Sequence, residues 1–120
     1  MGLLGKVAAR DGPDTSSAGL SDIHIAINDF HREHPMFHCV VMHFPGDKQQ
    51  GISGIVRLAA SHGAVCLDLA DKNGLILLPG RLDMELFSHQ LARSTGSTVL
   101  FQFSANSSSL AFETLNPYLQ

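Results

Sequence analysis

Two short stretches of the chain, residues 37–44 (FHCVVMHF) and 75–78 (LILL), carry mostly apolar side chains at odd and even positions alike. Successive side chains of a β-strand point to opposite faces of a sheet, so a strand of this kind is covered on both faces. Residues 64–69 and 98–104 instead alternate between two unlike sets of side chains, as half-buried strands do. The pattern predicts two central strands and two edge strands.

Helical patterns and turn residues connect these strands. From residue 52 onward, apolar side chains recur at helical spacing as far as Gly63, a residue that suits the end of a helix. Residues 81–95 also read as a helix, with Gly96 as its stop, and residues 71–74 form the turn of a hairpin. The order of elements from the first strand is therefore β, α, β, β, α, β.

A further helix is predicted on each side of this unit. Residues 21–34 place apolar side chains on one helical face, with Ser21 as the N-cap. Pro35 ends that helix, because the residue before a proline is pushed out of the α region. Residues 107–116 fit a short Ser-capped helix, with a strand as the alternative, and the apolar residues expected to point inward are Leu110, Ala111, Leu115 and Leu119.

Right-handed crossovers fold this order of elements into a ferredoxin-like plait, which belongs to the α+β class. We expect a four-stranded antiparallel sheet with both crossover helices on one face, an added N-terminal helix and a short C-terminal helix. The first and third strands are central in such a sheet, in agreement with their apolar faces. The other face then needs a cover, which is either helix 21–34 or, across an open sheet face, a protein partner or a second copy of the chain in a homodimer.

Composition limits the remaining possibilities. A chain of 120 residues with 44% hydrophobic residues is expected to form one domain over residues 20–120. Residues 1–19, rich in Gly, Pro and Ser, are expected to be a flexible tail or linker. The net charge of −3 and the eight scattered Lys and Arg residues argue against nucleic acid and against a membrane surface as partners.

The two cysteines and the lack of long apolar stretches bear on location. Cys39 and Cys66 lie in predicted strands, where free thiols behave as small buried hydrophobes. No stretch approaches the roughly 20 apolar residues of a membrane-spanning helix. We therefore expect a cytoplasmic protein, and no motif calls for a cofactor.

The loop after the first strand is the first candidate site. It keeps the strand, loop and helix order of a phosphate-binding P-loop, but Ile52 stands where the lysine must be, which argues against nucleotide hydrolysis. Backbone amides at the helix start can instead bind a carboxylate or another anion, unless the glycines only permit a turn. The candidate ligand-binding residues are Pro45, Gly46, Asp47, Gly51 and Ser53.

The same loop resembles that of ACT-like small-molecule sensing domains in its order of strand, PGD-type loop, helix and hairpin. The residues that carry this resemblance are Pro45, Gly46, Asp47 and Gly51. The resemblance implies ligand binding at the loop after the first strand and at a dimer interface.

Two other constellations involve histidine. Glu85 and His89 are four residues apart on a predicted helix and form an alternative acid–base pair, or else an ordinary structural contact. The weak candidates for metal ligands are His31, His34 and His38, although a zinc site needs three or four converging ligands. The simpler interpretation is that these histidines make ordinary hydrogen bonds.

We therefore expect a non-catalytic regulatory or protein-interaction module that senses a small ligand at residues 45–54. The alternatives are a small enzyme using Glu85 and His89, and a His-rich metal-binding module.

Overall fold

The computed structural model describes residues 19–119, so the predicted tail, apart from Gly19, lies outside the described residues. The elements in chain order are α1 (Leu20–Glu33), β1 (Phe37–His43), α2 (Lys48–Ala60), β2 (Val65–Asp68), β3 (Asn73–Pro79), α3 (Met84–Thr95), β4 (Thr98–Ala105) and α4 (Ser108–Leu115), followed by a 3₁₀ turn at Asn116–Tyr118. The predicted α+β class is confirmed.

All four strands form one antiparallel sheet in the order β2-β3-β1-β4. β1 and β3 are central and β2 and β4 are edges, as the facial patterns predict. Pairing of β4 with β1 shifts register at one point, because Val41 lies opposite Phe101 whereas Met42 lies opposite Val99. Leu100 is therefore the extra residue of a β-bulge in β4.

Helices α2 and α3, the two crossover helices, cover one face of the sheet. Their apolar residues pack on the even-numbered side chains of β1 and β3, and this core includes Val40, Met42, Phe44, Ile55, Ile76, Leu78 and Phe87. We call this side of the sheet the first face.

Helices α1 and α4 cover the second face. Ile23, Ala26, Ile27 and Phe30 of α1 and Ala111 and Leu115 of α4 pack there on Cys39, Val41, Leu75 and Leu77. The two helices also meet directly, since the rings of His24 and Phe112 stack with centroids 4.0 Å apart. The chain thus covers both faces of its own sheet. Within residues 19–119, no open sheet face remains that would favour dimerisation.

Several element ends differ from the prediction. Helix α1 begins at Leu20 with Gly19 as its N-cap and no side-chain cap, so the N-cap assignment of Ser21 was wrong. α2 begins at Lys48, a full turn before the first apolar residue, because its polar first turn is capped by Asp47. α4 is the helix of the two alternatives, with the Ser107 hydroxyl accepting from Leu110 N, but Leu110 itself is exposed rather than inward.

Between residues 19 and 119, no helix combines the length and the apolar character needed to cross a bilayer.

Candidate functional site

The predicted ligand loop is held by contacts within the chain. The Asp47 carboxylate accepts from the amides of Gln49 and Gln50 at 3.1 and 3.4 Å. The Lys72 ammonium donates to the carbonyls of Pro45 and Gly46 at 3.3 and 3.4 Å. The amides that were expected to bind an anion are therefore occupied by a carboxylate of the same helix start.

Gly51 has a packing role in this loop. The Phe44 ring lies between Gly51 and Gly74, and a Cβ atom built on either glycine would come within 2.9 Å of a ring carbon. Both glycines are buried, and Phe44 is 2% exposed. Gly51 thus makes room for an aromatic side chain, whereas Ser53, another predicted ligand residue, is exposed on α2.

A polar cavity of about 480 Å³ remains beside the loop, between the start of α2 and the end of α3. Its lining includes Pro45, Gly46, Asp47 and Gly51 but not Ser53, together with Gln50, Arg57 and Ser94. We call this space the loop cavity. Four of the five predicted ligand residues therefore do share one surface.

The three candidate metal ligands do not converge. His31 lies on α1 and His34 is the C-cap of that helix, and their rings lie against Phe37 and Phe30 respectively. His38 lies on the first face, where its ring nitrogens form hydrogen bonds with the Ser104 hydroxyl and the Leu82 carbonyl. Among residues 19–119, no three His, Cys, Asp or Glu side chains lie close enough together to hold a metal ion.

His38 joins β4 to the start of α3. Its Nε2 donates to the Leu82 carbonyl at 2.9 Å, because a carbonyl can only accept. In the neutral imidazole Nδ1 is then an acceptor, and it receives the Ser104 hydroxyl at 2.8 Å. The buried ring therefore links the backbone just before α3 to β4.

A groove of about 710 Å³ runs between α3 and β4. We call it the α3–β4 groove. Its lining residues on α3 and just before it are Asp83, Glu85, Leu86, Ser88, His89 and Ala92, and those on or beside β4 are Ser97, Thr98, Val99 and Gln102. The Ser88 hydroxyl donates to Gln102 Oε1 at 2.9 Å across its floor.

Glu85 and His89 lie in this groove but are not arranged as a catalytic pair. Both residues are exposed, and neither side chain makes a hydrogen bond or ion pair among the described residues. The buried Ser88 hydroxyl donates its one proton to Gln102 Oε1 at 2.9 Å, with the Glu85 backbone carbonyl farther away at 3.2 Å, so no histidine orients it as a nucleophile. Glu85 and His89 are instead placed as contact residues on a groove wall.

β4 leaves one of its edges unpaired in the described structure, since it pairs only with β1. The strand is eight residues long and its sequence, TVLFQFSA, contains no charged residue and no proline. Leu100 on β4 and Leu86 on the α3 side of the groove are 47% and 58% exposed. Soluble proteins usually blunt such an edge with charges, proline or a covering element.

The thiols and the ion pair near β2 are structural. Burial raises the pKa of Cys39 and Cys66 to about 12, with a smaller contribution at Cys66 from Asp68. Both thiols are therefore protonated at neutral pH and are poor nucleophiles.

The Lys48 ammonium lies 2.7 Å from Asp68 Oδ1 and donates to the Leu69 carbonyl, so it ties α2 to β2.

Comparisons with protein-family models, with curated proteins and with solved structures find no match to this chain. The function therefore has to be inferred from the geometry of the chain itself.

Only part of the groove can be predicted from local sequence. Glu85 and His89 are recognisable by their helical spacing, but the wall opposite them depends on β4 lying beside α3. The signal that points to β4 is its composition, since an edge strand without charge or proline is a candidate for pairing with another chain.

Proposed function

We propose that the protein is a non-catalytic interaction module that binds an extended segment of a partner protein along β4. An extended peptide can add a strand to an exposed sheet edge, where its main chain forms hydrogen bonds and its alternate side chains enter adjacent pockets. The observation that carries this proposal is the unpaired, uncharged edge of β4 beside the α3–β4 groove.

The bulge in β4 favours a partner segment over a second copy. Two β4 strands paired around a twofold axis would bring two bulged Leu100 residues into one ladder, and bulges disrupt edge-to-edge pairing. A short segment needs only the regular part of β4, from Phe101 to Ala105, which pairs evenly with β1. A homodimer through the second face would have to displace α1 and α4.

We also infer that the fold is a ferredoxin-like plait with α1 and α4 added on its second face. The central positions of β1 and β3 and the packing of α2 and α3 on one face support this interpretation. Plaits of this kind carry unrelated functions, so the proposed activity rests on the β4 edge and the groove.

Selection from a library of random heptapeptides tests the proposal. We expect the native protein to retain peptides that Leu100→Lys does not, because a seven-residue strand is longer than Phe101–Ala105 and a lysine at the adjoining Leu100 opposes its addition. Leu110→Lys is the matched control, since Leu110 is similarly exposed, at 41% against 47%, but lies on α4. It should bind the selected peptides as the native protein does.

The position of the bound peptide is the second measurement. Amide exchange followed by NMR should show slower exchange in Phe101–Ala105 when a selected peptide is bound, because new backbone hydrogen bonds protect amides. Protection confined to α1 or α4, or equal retention by native protein and Leu100→Lys, would contradict strand addition.

The loop cavity supports a second candidate function, the sensing of a small anion. The observation in its favour is that Arg57, an exposed cation without a described hydrogen bond, lines a polar cavity bordered by Gly46, Gly51 and Gly96. A thermal-shift screen with small mono- and dicarboxylates should find a stabilising compound that loses its effect in Arg57→Gln. The absence of any stabilising carboxylate would remove this candidate.

A further inference from the structure

Strand addition at β4 would place the partner's side chains against two unlike surfaces. On the first face lies the α3–β4 groove, and on the second face lies a group of aromatic rings. Successive side chains of a paired strand point to opposite faces. Each surface is therefore met by every second residue of the partner.

The groove wall on the first face is acidic. Glu85 and Asp83 stand at the start of α3, and no lysine or arginine is among the described residues that line the groove. Asp83 caps the helix by accepting from Leu86 N at 3.1 Å, whereas the Glu85 carboxylate has no described partner. A basic side chain would complement this wall, and an acidic one would be repelled.

The rings on the second face form what we call the aromatic shelf, made of Phe101, Phe103 and Tyr118. Phe101 lies 5.4 Å from Phe103 and stacks on Tyr118 at 5.6 Å, between ring centroids. All three are only partly buried at the margin of the core that α1 and α4 close. An aromatic or branched apolar side chain from an added strand would extend this packing.

We propose that the partner segment is an extended strand in which basic residues alternate with aromatic or branched apolar residues. The basic residues face Glu85 in the α3–β4 groove and the apolar ones pack on the aromatic shelf. This inference rests on the proposed strand addition at β4 and names the class of segment that binds there.

Three fluorescein-labelled peptides, used with the full chain, test it by fluorescence anisotropy. The first alternates lysine and phenylalanine, Thr-Lys-Phe-Lys-Phe-Lys-Thr. The second has the same composition without alternation, Thr-Lys-Lys-Phe-Phe-Lys-Thr, and the third replaces every lysine of the first by glutamate. We expect the alternating lysine peptide to bind about tenfold more tightly than either of the others.

Reversing the charge of the groove wall at Glu85 gives a second measurement of peptide affinity. Glu85→Lys should weaken binding of the alternating lysine peptide roughly fivefold and strengthen binding of the glutamate peptide, because the sign of the groove wall changes. Glu113→Lys makes the same change at an exposed residue of α4 and should alter neither affinity by more than about twofold.

The shelf is tested by a double-mutant cycle. Replacing both phenylalanines of the alternating peptide by serine should cost about tenfold in affinity for the native protein and much less for Phe103→Ala. Equal losses in both proteins would contradict a role for the shelf.

The outcomes separate the two proposals. If selected peptides protect the β4 amides but alternation and Glu85→Lys make no difference, the alternating pattern is wrong and strand addition stands. If no peptide protects the β4 amides, strand addition is wrong and the pattern fails with it.

Discussion

The two edges of the sheet are built in opposite ways. β2 is four residues long, ends in Asp68 and is tied to α2 by the Lys48 ion pair. β4 is twice as long, has no charged residue, and faces solvent beside a groove. Short length and inward-pointing charge are established protections against unwanted strand pairing.

This difference shows that protection of a sheet edge is local rather than a property of the whole chain. β2 is protected against strand pairing by its short length and its ion pair, whereas the bulge at Leu100 is the corresponding feature of β4. An edge that stays open in an otherwise well-packed domain is the part most suited to binding another chain. The predictions that follow concern how much the contacts beside each edge contribute to the free energy of unfolding.

The largest effect is expected from filling the space of Gly51, on the β2 side. In Gly51→Val the new side chain would collide with the Phe44 ring, which is held on its other side by Gly74. We expect the free energy of unfolding to fall by about 2 to 3 kcal/mol, measured by urea denaturation.

Gly46→Ala is the control for that change. A Cβ atom at Gly46 would meet nothing within 4 Å, so the substitution should change stability by less than about 0.5 kcal/mol. Equal losses at the two glycines would mean that Gly51 serves the backbone conformation and not the packing of Phe44.

A smaller loss of stability is expected from breaking the ion pair between Lys48 and Asp68, at the end of β2. Burial raises the pKa of Asp68 above its ordinary value, and the hydrogen bond and charge of Lys48 lower it only in part. Lys48→Met leaves a largely buried carboxylate without its cation and the Leu69 carbonyl without a donor. We expect a loss of about 1 to 3 kcal/mol near neutral pH.

The pH dependence of this loss has a definite sign. A carboxyl whose pKa is raised in the folded state binds more protons there than in the unfolded state, so stability falls as pH rises from the unfolded value of about 4 through the folded pKa. Removing Lys48 raises the folded pKa of Asp68 further. The loss in Lys48→Met should therefore be small near pH 4 and grow toward neutral pH, and adding Asp68→Asn should abolish the dependence.

The smallest effect is expected at the tie between β4 and α3. Ser104→Ala removes the hydroxyl that donates to His38 Nδ1 but leaves the bond from Nε2 to the Leu82 carbonyl. The expected cost is about 0.5 to 1.5 kcal/mol in urea denaturation. Ser53→Ala, at an exposed serine of α2, should cost almost nothing, and a similar cost at both serines would show that the tie adds no stability.

The central part of the fold was predictable because the physical signal is strong. β1 and β3 are apolar on both faces, and that property alone places them inside a covered sheet. Gly96, predicted as the stop of α3, does end it, in the left-handed conformation with φ of 69°. The start of α1 was misplaced because Ser21 and Gly19 are both acceptable N-caps, and nothing local decides between them.

The candidate site was less predictable because it depends on contacts between distant residues. Gly51 looks like a turn glycine in the sequence, and only the position of the Phe44 ring reveals its packing role. The sequence likewise left open whether α1 or another molecule covers the second face. An amphipathic pattern shows that one side of a helix is buried, but it does not show which surface buries it. The contacts of Ile27 and Phe30 with the core resolve that choice.

The cover of the second face also has a consequence for synthesis of the chain. α1 and α4 come from opposite ends of the described residues yet close the same core side by side. While β1 and β3 are emerging from the ribosome, Cys39, Val41, Leu75 and Leu77 have only α1 above them. Until α4 packs, a nascent chain therefore leaves part of this apolar surface open to solvent, so the second-face core closes only when residues near the end of the described chain have been made.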